Sequence, residues 1–161
     1  MATALPASPS LIVCATLVQN PMNLGGLCRT CEVLGVNQLV LAELSVADSS
    51  AFRRLAASGQ QWQPLASCSL AELPAWLIGH RQAGYETVAL TAQPAAQSLM
   101  ACQFKPRTVL LLGRELTGIP ADITALCDRA VTIPQAGRVG SLNVQTAAAI
   151  AVYEYRRQYP R

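Results

Sequence analysis

The chain alternates short apolar runs with longer segments in which apolar residues recur at the spacing of a helix. A short apolar run bounded by turn residues is typical of a buried strand. Such runs occupy residues 11–17, 38–42, 62–66, 86–91, 108–112 and 130–133. Because nearly continuous apolar strands are buried on both faces, the pattern predicts an α/β fold. We expect a parallel sheet of five to six strands with helices on both faces.

The segments between these runs carry helix start and stop signals. Ser69 and Glu72 have the spacing of a capping box, and Gly35, Gly59 and Gly84 follow helical segments. Helices are predicted over residues 23–34, 48–58, 69–83 and 142–157, with a short one opening at Pro120. No repeat or linker divides the chain. We therefore expect one domain over residues 10–157, flanked by short tails at residues 1–9 and 158–161.

Composition fits a single domain with a large apolar core. Of the 161 residues, 52% are hydrophobic and only 13% are charged, which excludes an intrinsically disordered chain. No apolar run approaches the roughly 20 residues that a membrane-spanning helix needs. The amino terminus has no basic segment and carries Pro6, so it does not resemble a secretion signal. These features predict a cytoplasmic protein.

The basic residues are almost all arginine. The net charge is +3, and 11 of the 12 basic side chains are Arg, the exception being Lys105. A planar guanidinium suits phosphates and base edges better than an ammonium does. A GC-rich gene would produce the same bias. The charge therefore permits a nucleic-acid partner without requiring one.

Six cysteines in a chain without an export signal are expected to be reduced thiols. Cys28 and Cys31 form a C-x-x-C pair, the spacing of a redox motif or of half a zinc site. No second pair exists at a suitable spacing, and the only histidine, His80, stands alone. We expect no metal site, and we expect both thiols to face the core from one side of a helix.

Three polar, glycine-containing loops follow predicted strands. They are NPMNLGGLCR at residues 20–29, GRELTGIP at 113–120 and PQAGRVGSLN at 134–143. Each alone is compatible with an ordinary surface loop, but ligands of open parallel sheets bind beyond the carboxyl ends of the strands. The chain has no G-x-G-x-x-G after the first strand, no phosphate-loop lysine and no Ser-His-Asp set. The sequence therefore favours a reaction that depends on positioning its reactants.

Taken together, N-P-x-N-L-G-G-L-x-R, L-L-L-G-x-E-x-x-G-I-P and I-P-x-x-G-x-x-x-S-L-N-V resemble the three motifs of the SpoU/TrmH family. These are RNA ribose methyltransferases of the SPOUT superfamily, and the resemblance covers residues 10–157. Residues 23–36 and 58–65, and the PQ pair after Ile133, are most similar to the catalytic domain of the eukaryotic tRNA guanosine-18 ribose methyltransferases.

This resemblance implies a fold, an assembly and a cofactor. The last third of the chain would form a deep trefoil knot, and two copies would form a homodimer through the knotted region. The cofactor would be S-adenosylmethionine, held largely by backbone groups at Thr91, Gly113, Ile133 and Leu142.

The resemblance also implies the reaction, which transfers a methyl group to a ribose 2′-hydroxyl. The positions that match the family's catalytic set are Asn23, Arg29, Glu115, Ser141 and Asn143. The family's arginine is often assigned as the base, but a guanidinium pKa above about 12 argues against that role. We expect Arg29 to grip an RNA phosphate and stabilise the developing alkoxide. Glu115, Ser141 and Asn143 would then hold Arg29 and the cofactor in place.

The RNA target is less constrained by the motifs. We expect tRNA guanosine-18 in the D-loop; the alternatives are rRNA, another tRNA position, and a non-catalytic RNA-binding dimer. Bacterial members of this family hold tRNA with flanking helices; we expect none in this chain, so that affinity would come from the dimer surface or from an accessory RNA-binding protein. Gln145 stands where many members carry Ser. Candidate RNA contacts are Arg53, Arg54, Arg114, Arg138, Arg156 and Arg157.

Overall fold

The structure, a computed structural model, describes residues 8–161, so most of the tail predicted over residues 1–9 lies outside it. Seven parallel strands form one sheet. They are β1 (Ser10–Cys14), β2 (Gln38–Leu41), β3 (Leu65–Ser67), β4 (Glu86–Leu90), β5 (Gln97–Ser98), β6 (Arg107–Leu111) and β7 (Arg129–Thr132). The expected count of five to six strands is thus wrong. The additional strand, β5, has only two residues, too few to give a hydrophobic pattern.

The order of the strands differs from their order in the sequence. The sheet runs β3-β2-β1-β6-β4-β7-β5, with every pair parallel. Strand β6 therefore lies between β1 and β4, which both precede it, and β7 lies between β4 and β5. As a result, the carboxyl ends of β1, β6, β4 and β7 are neighbours at one edge of the sheet.

Five α-helices accompany the sheet within residues 8–161. They are α1 (Pro21–Val33), α2 (Ser50–Ala56), α3 (Leu73–Gln82), α4 (Ala121–Thr124) and α5 (Val144–Gln158). The helix predicted over residues 48–58 is shorter than expected. Ala57 and Ser58 have left-handed backbone angles (φ 47° and 69°), which end α2 before a 3-10 turn at Gly59–Gln61.

Asparagine side chains begin the two helices that flank the loops of interest. Asn20 accepts a hydrogen bond from the Met22 amide and precedes Pro21, the first residue of α1. Asn143 does the same for α5, accepting from the Gln145 and Thr146 amides. The helix of the predicted capping box begins only at Leu73, although Ser69 and Glu72 form their reciprocal bonds.

The core lies on both faces of the sheet, as the sequence predicts. Along β1, Leu11 and Val13 belong to one apolar cluster, while Ile12 and Cys14 belong to another. Because successive strand residues point to opposite faces, the two clusters cover opposite sides. The first contains residues of α1, α2 and α5, and the second contains residues of α3 and α4. Within residues 8–161, no helix combines the length and apolarity needed to cross a bilayer.

Candidate active site

A cavity of about 490 Å³ opens at the carboxyl edge of the sheet, among the loops that follow β4, β6 and β7. Its volume falls in the range of roughly 300–1,000 Å³ that is typical of small-ligand pockets. All four residues predicted to contact a cofactor line it: Thr91, Gly113, Ile133 and Leu142. Leu90, Leu112, Ile119, Val144 and Ala147 add apolar surface. The lining combines apolar walls with polar groups, which suits a flat heterocycle such as adenine.

The loop after β6 closes tightly on itself. The backbone groups of Arg114 and Gly118 exchange two hydrogen bonds of 3.0 Å, and Gly118 has a φ of 71° that favours glycine. A Cβ on Gly113 would lie 2.7 Å from the carbonyl carbon of Gly118. Gly113 is therefore required for this closure, which leaves Leu116 97% exposed while Glu115 turns towards α1.

The Glu115 carboxylate accepts three hydrogen bonds from the start of α1. The donors are the backbone amides of Gln19 (3.4 Å) and Asn20 (3.0 Å) and Nδ2 of Asn23 (3.2 Å). Burial alone would raise the pKa of Glu115, but the hydrogen bonds from Asn20, from its own backbone amide, from Asn23 and from Gln19 outweigh it. The net pKa lies below its ordinary value of 4.5, so the carboxylate is ionised at neutral pH.

Asn23 connects this carboxylate to the third loop. Its Oδ1 accepts a hydrogen bond of 3.0 Å from Nδ2 of Asn143, whose own Oδ1 caps α5. Residues from all three predicted motif loops are thus joined in one chain of hydrogen bonds, Asn143 to Asn23 to Glu115. Carboxamides are neither acids nor bases near neutral pH, so this network positions groups and does not relay protons.

Arg29 and Ser141 lie outside that network. Arg29 follows Asn23 by six residues on α1, about 9 Å along the helix axis, and its side chain is exposed. Within residues 8–161, Arg29 has no ion pair and no side-chain hydrogen bond. Glu115 and Asn143 therefore hold Asn23, where the sequence suggested that they hold Arg29. Ser141 is exposed and lines the cavity.

The arginines predicted to contact RNA differ in their surroundings. Arg114 lines the cavity, and Arg138 and Arg54 are exposed. Arg53 pairs with Asp48 at 2.8 Å, and Arg157 pairs with Glu154 at 2.8 Å.

Arg156 has a structural contact that the sequence did not indicate. Its guanidinium donates to the carbonyl oxygens of Leu34 and Gly35, at the carboxyl end of α1. Burial lowers the pKa of Arg156. This side chain joins α5 to α1, which makes it a weaker candidate for RNA binding.

The thiols of the C-x-x-C pair are buried and unreactive. Cys28 and Cys31 face the core from one side of α1, in the predicted orientation. Burial raises the pKa of Cys28 to about 11 and raises the pKa of Cys31 as well. Such thiols are protonated at neutral pH and bind metals or react with disulfides poorly. Residues 8–161 contain no group of three or more His, Cys, Asp or Glu side chains arranged to hold a metal ion.

Sequence reasoning missed the contributions of Gln19 and Asn20 to the site. Both bind Glu115 through backbone amides, which carry no residue-type signal. The Asn-Pro step at positions 20 and 21 is nonetheless a helix-start signature, and it indicates that these two amides lie at the amino end of α1. Gln93, Pro94 and Gln135, which also line the cavity, were not singled out as site residues.

Comparison with known proteins identifies the same family that the three sequence motifs resemble. Residues 10–153 match the model of the SpoU rRNA Methylase family. The chain is 39% identical over 148 residues to the Mus musculus tRNA (guanosine(18)-2′-O)-methyltransferase TARBP1, an alignment that covers 92% of this chain. The chain spans only 9% of the length of that relative.

Two solved structures have the same fold. The SpoU methyltransferase AviRb from Streptomyces viridochromogenes, in complex with AdoMet, superposes with a TM-score of 0.78 at 25% identity. That match covers 96% of this chain and 59% of AviRb. A second structure, which concerns 2-OH methylation of C/U34 on tRNA, superposes with a TM-score of 0.76 at 28% identity. It matches 94% of this chain and 95% of its own length.

Proposed function

Because this chain belongs to the SpoU rRNA methylase family, we propose that it is an RNA methyltransferase that acts on a ribose 2′-hydroxyl of tRNA. Its cofactor is S-adenosylmethionine. The observation that carries the proposal is the cavity lined by Thr91, Gly113, Ile133 and Leu142, which adjoins the hydrogen-bonded Asn143, Asn23 and Glu115. The complex of AviRb with AdoMet supports the choice of cofactor.

The fit to the cofactor rests on the shape and chemistry of the cavity. Gly113 lets the loop after β6 close against Gly118, and this closure shapes one wall of the cavity. Apolar walls at Leu112, Ile133 and Leu142 match an adenine ring. When bound, the cofactor supplies an activated methyl group on a sulfonium.

The residues of this chain then align the accepting hydroxyl. Arg29 holds an RNA phosphate and stabilises negative charge on the ribose oxygen, since a guanidinium stays protonated. Glu115 is a positioning residue: its oxygens are already occupied by donors and its pKa is lowered, which makes it a poor base. Asn23 and Asn143 fix the first turn of α1 against the cavity. Alignment of this kind can supply several kcal/mol of barrier reduction.

The favoured target is guanosine-18 of the tRNA D-loop, as in the mouse relative. A second candidate is another tRNA position. That target is supported by the similarity to the structure concerned with methylation of C/U34 on tRNA. Methylation of rRNA is a third outcome for the same chemistry, because the target is selected by surfaces outside the cavity.

We also propose a homodimer and a trefoil knot in the last third of the chain. The dimer is supported by large exposed apolar side chains on the loops and on α5, namely Leu116, Val139, Leu142, Ile150 and Tyr153. The knot is supported by the insertion of β6 between β1 and β4, and by the packing of α5 on α1. Among the candidate arginines, four have neither an ion pair nor a side-chain hydrogen bond within residues 8–161: Arg29, Arg54, Arg114 and Arg138. An accessory RNA-binding protein would add affinity to that of these four side chains.

Transfer of a tritiated methyl group from S-adenosylmethionine to RNA tests the proposal. The protein is incubated separately with bulk tRNA and with rRNA, and then with a tRNA that carries 2′-deoxyguanosine at position 18. We expect incorporation into bulk tRNA that disappears with the deoxy substrate. Incorporation that persists with the deoxy substrate would mean that the methylated nucleotide lies at another position. Incorporation into rRNA alone would contradict a tRNA substrate. Cofactor binding without transfer to either RNA would indicate the non-catalytic dimer.

A further inference from the structure

Trp62 holds a large aromatic surface in solvent. Its side chain is 73% exposed, whereas the other tryptophan, Trp76, packs its ring against His80 with centroids 3.8 Å apart. Trp62 belongs to neither apolar cluster and does not line the cavity, so neither packing nor cofactor binding explains it.

The backbone on both sides of Trp62 is firmly anchored. The Trp62 and Gln63 amides both donate to the carbonyl of Gly59, at 3.0 and 2.8 Å. The Gln63 side chain is buried, and its Nε2 donates to the carbonyls of Val36 and Pro64, each at 3.2 Å. The indole is therefore presented by a rigid turn, so little ordering is needed when it binds a partner.

The 3-10 turn before Trp62 follows two residues with unfavourable backbone angles and packs against α1. Ala57 and Ser58 are the two residues with Cβ atoms that adopt left-handed angles within residues 8–161. The next residue, Gly59, lies beside α1: a Cβ there would be in van der Waals contact with Cα of Arg29, at 3.4 Å. Strained backbone of this kind is concentrated at functional sites. Here Gly59, at the start of the 3-10 turn, packs against Arg29, and Trp62 directly follows the end of that turn.

The charge beside this turn suits a polyanion. The turn contacts both α1 and α2. Each of these helices carries an exposed arginine, Arg29 and Arg54, for which no ion pair occurs within the described chain. An aromatic face beside free guanidinium groups is the combination with which proteins bind unpaired nucleotides.

We propose that Trp62 is a stacking platform for an unpaired base of the RNA substrate, while Arg29 and Arg54 bind the adjoining phosphates. The proposal rests on the proposed function and names a binding residue for it. Stacking on an indole needs no particular base, so Trp62 contributes affinity and orientation more than sequence discrimination.

Steady-state kinetics with tRNA test this role. Trp62→Ala is expected to raise KM for tRNA roughly 5- to 50-fold, with kcat and cofactor affinity little changed. Trp62→Phe should recover most of the loss because it restores an aromatic face. Met100→Ala, at a side chain that is 83% exposed, is the matched control and should leave KM unchanged.

Tryptophan fluorescence gives a readout that is independent of turnover. Titration with tRNA should quench the tryptophan fluorescence of the wild-type protein. It should not quench the fluorescence of Trp62→Phe, which retains only Trp76. An unchanged KM in Trp62→Ala, with wild-type methyl transfer intact, would overturn the stacking role and leave the proposed function standing. A shift of Trp62→Ala to a smaller oligomer would overturn it in favour of a contact between two copies. Absence of methyl transfer to any RNA by the wild type would instead contradict the proposed function.

Discussion

Asn143 Nδ2 donates a hydrogen bond of 3.0 Å to Asn23 Oδ1, which joins the amino ends of α5 and α1 across 120 positions of sequence. The same carboxamide uses its oxygen to cap α5 by accepting from the Gln145 and Thr146 amides. One side chain therefore performs two tasks with two different atoms, and substitutions can separate them.

Asn143→Asp is expected to keep the cap and lose the connection to Asn23. Its carboxylate still accepts from the helix amides, so the free energy of unfolding should change little, but it cannot donate to Asn23. Methyl transfer should fall at least tenfold. Asn143→Ala removes the cap as well and should cost a further ~0.5–2 kcal/mol. Urea denaturation combined with the methylation assay separates the two effects; equal activity of Asn143→Asp and wild type would contradict the positional role of the bond.

Glu115→Gln should change how stability depends on pH. The folded-state pKa of Glu115 lies below its ordinary value of 4.5, so the stability that it contributes is fully present above pH 4.5 and is lost as the pH falls through the folded-state pKa. The difference in free energy of unfolding between wild type and Glu115→Gln should be largest above pH 4.5 and shrink below it. Denaturation between pH 3 and pH 7 measures this difference. A gap that is constant with pH would show that the carboxylate charge is not involved.

Gly113→Ala is expected to damage cofactor binding. The added Cβ would approach the backbone of Gly118 and Ile119 to within 2.7–2.9 Å, so the loop formed by residues 114–118 would have to move. Affinity for S-adenosylhomocysteine, measured by calorimetry, should fall at least tenfold. Gly79→Ala is the control because nothing lies within 4 Å of its added Cβ. It should leave affinity unchanged and stabilise α3 by about 0.5–1 kcal/mol, since Gly79 lies at an exposed position of this helix.

Arg29→Ala should separate cofactor binding from transfer. The side chain does not line the cavity, so cofactor affinity is expected to stay within a few-fold of wild type while most methyl transfer is lost. Lys105→Ala removes one positive charge at the amino ends of the strands and serves as the control. Full activity of Arg29→Ala would remove Arg29 from the site.

Gly26 and Gln145 are expected to be energetically coupled. A Cβ on Gly26 would overlap the side-chain carboxamide of Gln145, which fills the space above this glycine. Gly26→Ala should therefore lose part of the stability that alanine normally adds inside a helix, because the end of the Gln145 side chain must move. Gln145→Ala should restore that gain. A double-mutant cycle in urea measures the coupling, which we expect to exceed about 0.5 kcal/mol. Additive effects would mean that Gln145 can turn away at no cost.

Local patterns predicted most elements of this fold, while distant pairings escaped them. The apolar runs at β1, β2, β4, β6 and β7 were identified because buried parallel strands need continuous apolar sequence. The two-residue strand β5 was missed. Helix α2 ends at Ala56, before the Gly59 stop signal, because Ala57 and Ser58 adopt left-handed angles that are unusual for residues with a side chain. The position of β6 between β1 and β4 depends on tertiary packing and leaves no mark on periodicity.

The candidate site shows the same division. Several residues of the motif loops line the cavity, because the carboxyl ends of parallel strands meet at one edge of the sheet. The partners of those residues were less predictable. Glu115 binds backbone amides and Asn23 instead of Arg29, and Arg156 joins two helices instead of facing solvent. Geometry between side chains of distant loops decides such contacts, and no spacing rule encodes it.

The central place of β6 in the sheet has a consequence for how the chain acquires its native state. The strands on either side of β6 leave the ribosome before it does, so a gap between them must stay open or reopen to admit it. Pairings between such distant segments carry a high cost in loop closure and slow the rate of folding. Until β6 and α5 have arrived, Asn23 has neither Glu115 nor Asn143 as a partner. A nascent chain can therefore complete this hydrogen-bonded site only after both β6 and α5 have been synthesised.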